Sequence, residues 1–260
     1  DGSLIASGSA KENSIKVWDV TSGKIIGKLE GHDGATTAIN FSADGKKLIS
    51  SANDDYLILW DVVNWKMIDS VKTKTHKTWI INDKKDANIY YLASRDGSVE
   101  KRSITSFQEN NVLFVDNSPI LKIDVSEKNL VAGTNTGEVI VYNLASEKIV
   151  RQKKVHSTPV KGLKFFKNGE GLITTGGGGL VHLWNITNLL ESKHINASAS
   201  LITAFDANEE RNRFVIATNT RRIHVFDFDG KEIFEFKDKL EDNKNSEKNR
   251  KNQKRPEGTK

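Results

Sequence analysis

The chain has 260 residues, of which 28% are charged and 37% hydrophobic, and it contains no Cys. The lack of Cys excludes a disulfide framework, a Cys-ligated zinc or iron–sulfur site and any thiol nucleophile. Its longest apolar runs have five residues, far below the roughly 18 needed to cross a bilayer, so no membrane span is expected. A formal net charge of +5 raises the hypothesis of acidic partners such as RNA or lipid.

The first residues, "DGSLIA", show neither an initiator Met nor a charged segment followed by an apolar one. No signal peptide is therefore predicted, and we expect the sequence to begin inside a longer chain. We expect an intracellular protein, with cytoplasm and nucleus both open.

Short β-rich runs recur along the chain at a nearly fixed spacing. They are "IKVWDV" at 15–20, "LILWDV" at 57–62, "VEKRSI" at 99–104, "VIVYNL" at 139–144, "VHLWNI" at 181–186 and "IHVFDF" at 223–228. The fourth residues of these runs are Trp18, Trp60, Arg102, Tyr142, Trp184 and Phe226, spaced by 42, 42, 40, 42 and 42 residues. Such a period indicates a repeat architecture.

Each period holds three further strand-like runs beside the marked one. A run ending in small residues, such as "LIASG" or "LITTG", precedes it across a polar turn, another apolar run precedes that, and an alternating run such as "KMIDSV" follows. The repeat region contains no apolar period of 3.6 over a dozen residues, so helices are expected to be at most local. Four-stranded units that stack around an axis bury their faces against each other, which predicts an all-β β-propeller with six visible blades of four antiparallel strands.

The same residues resemble the WD-repeat family, whose blades run from a Gly-His pair to a Trp-Asp pair over about 40 residues. Gly31-His32 and Trp60-Asp61 bound the second unit, and Trp18-Asp19 ends the first. The resemblance implies a buried hydrogen-bonded tetrad in the second unit, His32, Ser50, Asp54 and Trp60. It implies a partial tetrad in the fifth, His156, Thr174 and Trp184, with Gly178 in place of the Asp. Elsewhere Arg102, Tyr142 and Phe226 replace the Trp, although His76 and Asp96 remain in the third unit, so most blades are expected to rely on apolar packing.

Two domains are predicted, a propeller over 1–236 and a basic, disordered tail over 237–260. In the first blade, the innermost strand would fall before Asp1, so we expect upstream residues, with or without a further blade, or another route of closure to complete the ring. The tail has nine Lys or Arg against five acidic residues and so carries +4 of the net charge. It is interpreted as a solvated terminus or as an arm that binds RNA.

No motif predicts catalysis, a cofactor, a metal or a small-molecule substrate. The Gly-Lys pairs lack the Ser or Thr of a phosphate-binding loop, and Gly176-Gly177-Gly178-Gly179 is interpreted as a hairpin turn. His182 and His224 occupy equivalent positions in neighbouring units, which are too far apart to share one ion. Arg221-Arg222 is followed by Ile223 rather than by the Gly of paired-Arg lipid sites, so lipid binding is not favoured.

In the family, one face of the ring generally binds proteins or peptides. The resemblance places on that face the residue before each turn Asp and residues just after the Gly-His position. These positions are Arg95, Asn53, Asn135 and Asn219 from the first class and Thr36, Lys77 and Thr158 from the second. Trp79 is assigned mainly to the core, and Trp65 to core or contact.

Three functional hypotheses remain. The first is a non-enzymatic scaffold subunit of a multiprotein complex, with protein or peptide partners. The second is a component of an RNA-processing or ribosome-biogenesis particle that contacts RNA through 237–260. The third is a regulatory propeller domain of a larger enzyme.

Overall fold

The structure, a computed structural model, describes residues 2–197 and 200–237, which form strands and turns without a helix. The strands are β1 Leu4–Gly8, β2 Ser14–Asp19, β3 Ile25–Glu30, β4 Thr36–Phe41, β5 Lys47–Ala52, β6 Tyr56–Asp61, β7 Lys66–Lys72, β8 Lys77–Asn82, β9 Ile89–Ser94, β10 Ser98–Ser103, β11 Asn111–Val115, β12 Ile120–Val125, β13 Asn129–Thr134, β14 Glu138–Asn143, β15 Lys148–Lys154, β16 Gly162–Phe166, β17 Gly171–Thr175, β18 Leu180–Asn185, β19 Leu190–Asn196, β20 Ile202–Asn208, β21 Arg213–Thr218, β22 Arg222–Asp227 and β23 Glu232–Lys237.

These strands form six antiparallel sheets in chain order. The first sheet is β1–β3, and the second to sixth are β4–β7, β8–β11, β12–β15, β16–β19 and β20–β23. The prediction that the first unit lacks its innermost strand is confirmed, because β1 has no neighbour on its inner side among the described residues. The last strand ends at Lys237, one residue beyond the predicted domain boundary, and the remaining tail, 238–260, lies outside the described residues.

The strand sequences explain their places in each sheet. The second and third strands of a sheet are largely buried on both faces, as in β6 and β17. The fourth strands lie at the periphery, and β15 is exposed along its whole length. Tight turns join the second and third strands, and those at Gly97 (φ 85) and Gly137 (φ 90) need Gly, because a Cβ there would also meet the backbone oxygens of Asp116 and His156.

The innermost strands β4, β8, β12, β16 and β20 pack against one another in succession, which arranges the sheets as the blades of a β-propeller. Side chains reach across these contacts: the Asn40 amide donates to Asn82 Oδ1 (2.9 Å), and the Asn82 amide donates to the Phe41 carbonyl (2.7 Å). Phe165 N donates to Asp124 Oδ2 at 2.7 Å. Burial raises the pKa of the Asp124 carboxyl.

Apolar side chains remain uncovered on the sixth sheet, where Ile223, Phe234 and Phe236 are exposed. Across strands, Ile223 pairs with Phe236 and Val225 with Phe234, so these side chains share the face opposite to the one that packs on the fifth sheet. Within residues 2–197 and 200–237, no substantial contact joins this sheet to the first one. None of the described segments is a helix long and apolar enough to span a bilayer.

Candidate interaction surface

The turns between second and third strands lie at one end of the sheets, beside the loops that lead into the innermost strands. Backbone hydrogen bonds join the two sets of loops: Asn53 N donates to Ala35 O (3.0 Å), Asn135 N to Pro119 O (2.8 Å) and Asn219 N to Leu201 O (3.0 Å). Asn53, Arg95, Asn135 and Asn219 are all exposed in these turns. Within the described ranges, none of their four side chains forms a hydrogen bond or an ion pair, so all four are available to a partner.

The second class of predicted surface residues is placed differently. Lys77 is wrong as a contact residue, because it is only 1% exposed and its ammonium is held inside the third sheet. Thr36 is half-buried against Gly8 of β1, and its hydroxyl oxygen is buried. The Thr158 hydroxyl accepts from Gly177 N (2.7 Å) and so supports the turn of the fifth sheet.

The second sheet brings together the four residues that the resemblance assigns to the tetrad. His32 Nδ1 lies 2.9 Å from Asp54 Oδ2, and His32 Nε2 lies 2.7 Å from Ser50 Oγ, which also accepts from Trp60 Nε1 at 2.7 Å. Burial raises the pKa of Asp54, but hydrogen bonds from Tyr56 N, His32 and Asp33 N outweigh it and hold the pKa below its usual range. This network ties the innermost strand's loop to the two central strands.

The first sheet keeps one bond of this network, which the sequence analysis missed. Trp18 Nε1 donates to Ser7 Oγ at 2.8 Å. Ser7 pairs with Lys16 as Ser50 pairs with Ile58, so the two Ser residues occupy equivalent positions. Ser7 lies 11 residues before Trp18, whereas Ser50 lies 10 residues before Trp60, so the spacing from the Trp did not point to Ser7.

The fifth sheet has the network without its carboxylate. His156 Nε2 lies 2.9 Å from Thr174 Oγ1, which accepts from Trp184 Nε1 at 2.8 Å. Gly178 leaves open space where Asp54 stands in the second sheet. Burial, and then the neighbouring His182, lower the pKa of His156 to about 4, so this imidazole is neutral near pH 7.

The third sheet replaces the network with buried ions, and the expectation of apolar packing is wrong here. Lys77 Nζ donates to Ser94 Oγ (2.9 Å) and Glu100 Oε1 (2.6 Å), and Arg102 Nε donates to Glu100 Oε2 (3.1 Å). Arg102 Nη1 also donates to Phe107 O at 3.2 Å. His76 and Asp96 take no part: His76 lies 3.7 Å from Asp55, and Asp96 accepts from Ser98. The sequence "VEKRSI" could have indicated these buried ions, because its Glu100 occupies the position of Ile58 in the second unit.

Apolar packing does replace the network in the fourth and sixth sheets. Tyr142 stacks on Phe114 with ring centroids 5.5 Å apart, and Phe226 stacks on Phe214 at 5.2 Å. Both aromatic residues at the Trp position are buried within core clusters.

The two equivalent histidines each pair with a carboxylate of the neighbouring outer strand. His182 Nδ1 lies 2.7 Å from Glu191 Oε1, and His224 Nδ1 lies 2.7 Å from Glu232 Oε1. No group of three His, Asp or Glu side chains suited to a metal ion occurs in the described part of the chain.

The remaining sequence candidates also have clear places. Trp65 is half-buried and packs over Gly27. Trp79 is 37% exposed rather than part of the core. Arg222 pairs with Glu235 (2.9 Å).

Comparison with known proteins agrees with this geometry. A family model described as "WD domain, G-beta repeat" matches residues 23–61 and 147–185. Both matches end in the third strand of a sheet whose His, hydroxyl and Trp residues are hydrogen-bonded, the second and the fifth. The chain is a β-propeller, and its second and fifth sheets contain WD repeats.

The chain is similar in sequence to several known proteins. The chain is 22% identical over 208 residues to WD repeat-containing protein 55 of Arabidopsis thaliana, covering 78% of this chain and 58% of that protein. It is 21% identical to Autophagy-related protein 16 of Arabidopsis thaliana, covering 67% and 34%, and 25% identical to eukaryotic translation initiation factor 3 subunit I of Xenopus tropicalis, covering 74% and 63%. The propeller thus spans less than two thirds of the length of each of these relatives.

Two solved structures share the fold. The β-propeller domain of Cps50 (Swd1) from Myceliophteria thermophila superposes with a TM-score of 0.79 at 17% identity, covering 90% of this chain and 82% of that one. The computationally designed Ika8 protein gives a TM-score of 0.74 at 25% identity, covering 91% and 72%.

Proposed function

We propose that this propeller is a scaffold that binds protein partners on the end of the ring formed by the turns of Asn53, Arg95, Asn135 and Asn219. The observation that carries the proposal is the repetition of exposed polar side chains, without partners among the described residues, at one turn position in four blades. Tight turns on packed sheets hold these groups at fixed positions, so a partner that contacts several blades meets a preorganised surface.

The relatives support a role in assemblies. One is named as a subunit of eukaryotic translation initiation factor 3, and its name therefore places it in a multiprotein complex. Arg95 is the expected centre of the surface, because Arg is enriched among residues that dominate binding energies.

The test is affinity purification of the full chain from cells, followed by mass spectrometry, for wild type, Arg95→Ala and the triple variant Asn53→Ala, Asn135→Ala, Asn219→Ala. Arg211→Ala is the matched control, since Arg211 is an exposed arginine in a turn between first and second strands, at the opposite end of the blade. We expect Arg95→Ala and the triple variant to lose partners that Arg211→Ala keeps. Retention of every partner by both surface variants would refute this choice of surface.

The other two hypotheses stay predictions. RNA contact was assigned to 237–260, of which 238–260 lie outside the described residues. A link to an upstream enzyme depends on sequence beyond these 260 residues.

A further inference from the structure

Two inner strands carry large side chains where the others carry small ones. Trp79 of β8 pairs with Ala93, and Lys122 of β12 pairs with Gly133, each directly after the bulge in its strand. The equivalent residues of the other inner strands are Ala38, Gly162 and Ala204. The ammonium of Lys122 lies 3.3 Å from the centroid of the Trp79 ring.

This ammonium lacks a counter-ion in the described part of the chain. No carboxylate or carbonyl oxygen there accepts a hydrogen bond from it. Burial, and then the like charge of Lys161, lower the pKa of Lys122 to about 8. Lys161 lies on the loop entering β16, is exposed, and also forms no ion pair within the described ranges.

The ring of Trp79 compensates only part of the cost of this arrangement. A cation–π contact attracts the ammonium to the ring face but supplies no hydrogen-bond acceptor. An ammonium partly withdrawn from water needs hydrogen-bond acceptors as well, and a second positive charge nearby increases the cost. By contrast, Lys77, which is more deeply buried, has both a carboxylate and a hydroxyl partner.

We propose that Lys122 and Lys161 bind the carboxylate of an acidic side chain carried by a protein partner, with Trp79 as the apolar wall beside it. A carboxylate supplies the missing acceptor to Lys122 and reduces its repulsion with Lys161. The exposed third of Trp79 offers contact area for the methylene groups of a glutamate, which an inorganic anion would not use. The inference rests on the proposed function only in that a protein supplies the acidic residue.

The probe is hexaglutamate with acetylated and amidated ends, and uncharged hexaglutamine with the same ends is its control. Binding to the full chain is measured by isothermal titration calorimetry. The basic residues of 237–260 are the same in every variant, so differences between variants report on the inner strands. Lys122→Met and Lys161→Met are each expected to weaken hexaglutamate binding about tenfold or more, the effect of one charge-assisted hydrogen bond.

Lys122→Arg keeps the charge and is expected to retain most of the binding. Lys154→Met, at an exposed position of the outer strand β15, is the control for general loss of charge. A second readout is the pKa of Lys122, followed by NMR on ¹³C-dimethylated protein, which should rise from about 8 when hexaglutamate binds.

Equal affinity of wild type and Lys122→Met for hexaglutamate would overturn the proposal. It would also be overturned if wild type bound hexaglutamate no better than hexaglutamine, or if the pKa of Lys122 did not move. These results would leave the scaffold proposal standing, because that is tested by partner recovery with Arg95→Ala.

Discussion

Replacing Glu100 by Gln should destabilise the propeller more than any other single charge removal in the described part of the chain. Gln keeps the shape of Glu100 but removes the only negative charge between Lys77 and Arg102. Two buried cations would then face each other with one weak acceptor between them. The third blade has no tetrad to take over their role.

The distances set the magnitude. At an effective dielectric constant of about 20, charges separated by the observed 2.6 and 3.1 Å attract by about 6 and 5 kcal/mol, before desolvation is subtracted. Desolvation of three ions offsets most of this attraction, yet the cations stay desolvated when the carboxylate is lost. Breaking a buried pair in this way costs about 3–5 kcal/mol of unfolding free energy.

The assay is equilibrium urea unfolding at neutral pH, followed by tryptophan fluorescence and circular dichroism. The matched control is Glu12→Gln, because Glu12 pairs with Lys16 at a similar 2.7 Å but on the surface, with 53% of its side chain exposed. Because this pair is on the surface and solvent screens it, that loss should be far smaller than the loss for Glu100→Gln. Similar small losses for Glu100→Gln and Glu12→Gln would refute the reasoning.

A triple replacement tests the same account from the other side. Lys77→Ile, Glu100→Ile and Arg102→Tyr copy the residues of the fourth blade at these positions, Ile120, Ile140 and Tyr142. Because an apolar core carries no desolvation cost, this variant should be at least as stable as wild type, with a gain of up to about 4 kcal/mol. A large loss would show that the surrounding packing, and not the ions, requires these residues.

Three further predictions concern the tetrads. Gly178→Asp supplies the carboxylate that His156 lacks, at a position with open space. It should increase the unfolding free energy measured in urea by about 1–3 kcal/mol and raise the pKa of His156 measured by NMR titration. Gly178→Ala should do neither. In wild type, the unfolded chain protonates His156 near pH 6.5 and the folded chain only near 4, so this residue's contribution to stability is complete above pH 6.5 and falls by about 3 kcal/mol as the pH drops to 4. The unfolding free energy should therefore depend less steeply on pH in Gly178→Asp than in wild type. Identical slopes in the two proteins would contradict the assignment. Ser7→Ala removes the acceptor of Trp18 and should cost about 1–2 kcal/mol by thermal unfolding, while Ser9→Ala, in the adjacent exposed turn, should cost almost nothing.

The fold followed from the sequence because its evidence is repeated. A strand unit recurs six times at intervals of about 42 residues, so errors in single strands do not change the architecture. The incomplete first blade followed from the same spacing. The tetrad residues of the second and fifth units could be predicted for a similar reason, since each residue type has a fixed sequence spacing from the Trp. Strand ends were harder to predict, as Lys237 shows, because an alternating sequence does not indicate which residue is the last to pair with the neighbouring strand.

The candidate surface was predicted only in part. A residue in a tight hairpin turn projects into solvent, so the exposure of Asn53 and Arg95 followed from the turn positions that the family resemblance assigns to them. The exposure of a residue at the start of an inner strand cannot be predicted in this way, because it depends on which side chains of the next strands cover it. For this reason Lys77 was wrongly assigned to the surface. The carboxylate that pairs with it belongs to Glu100, 23 residues later, in a strand that is apolar in other blades.

The hydrogen bonds between inner strands have a mechanical consequence for recognition. Asn82 joins the second and third blades through an amide that no partner on the ring's end would touch. Nevertheless it helps to fix the angle between these blades, and therefore the span between the turns of Asn53 and Arg95. The binding of a ligand that contacts both turns would thus depend on a distance that is fixed by contacts between the inner strands. Asn82→Ala should weaken the binding of such a ligand and leave the binding of a ligand that contacts a single turn unchanged.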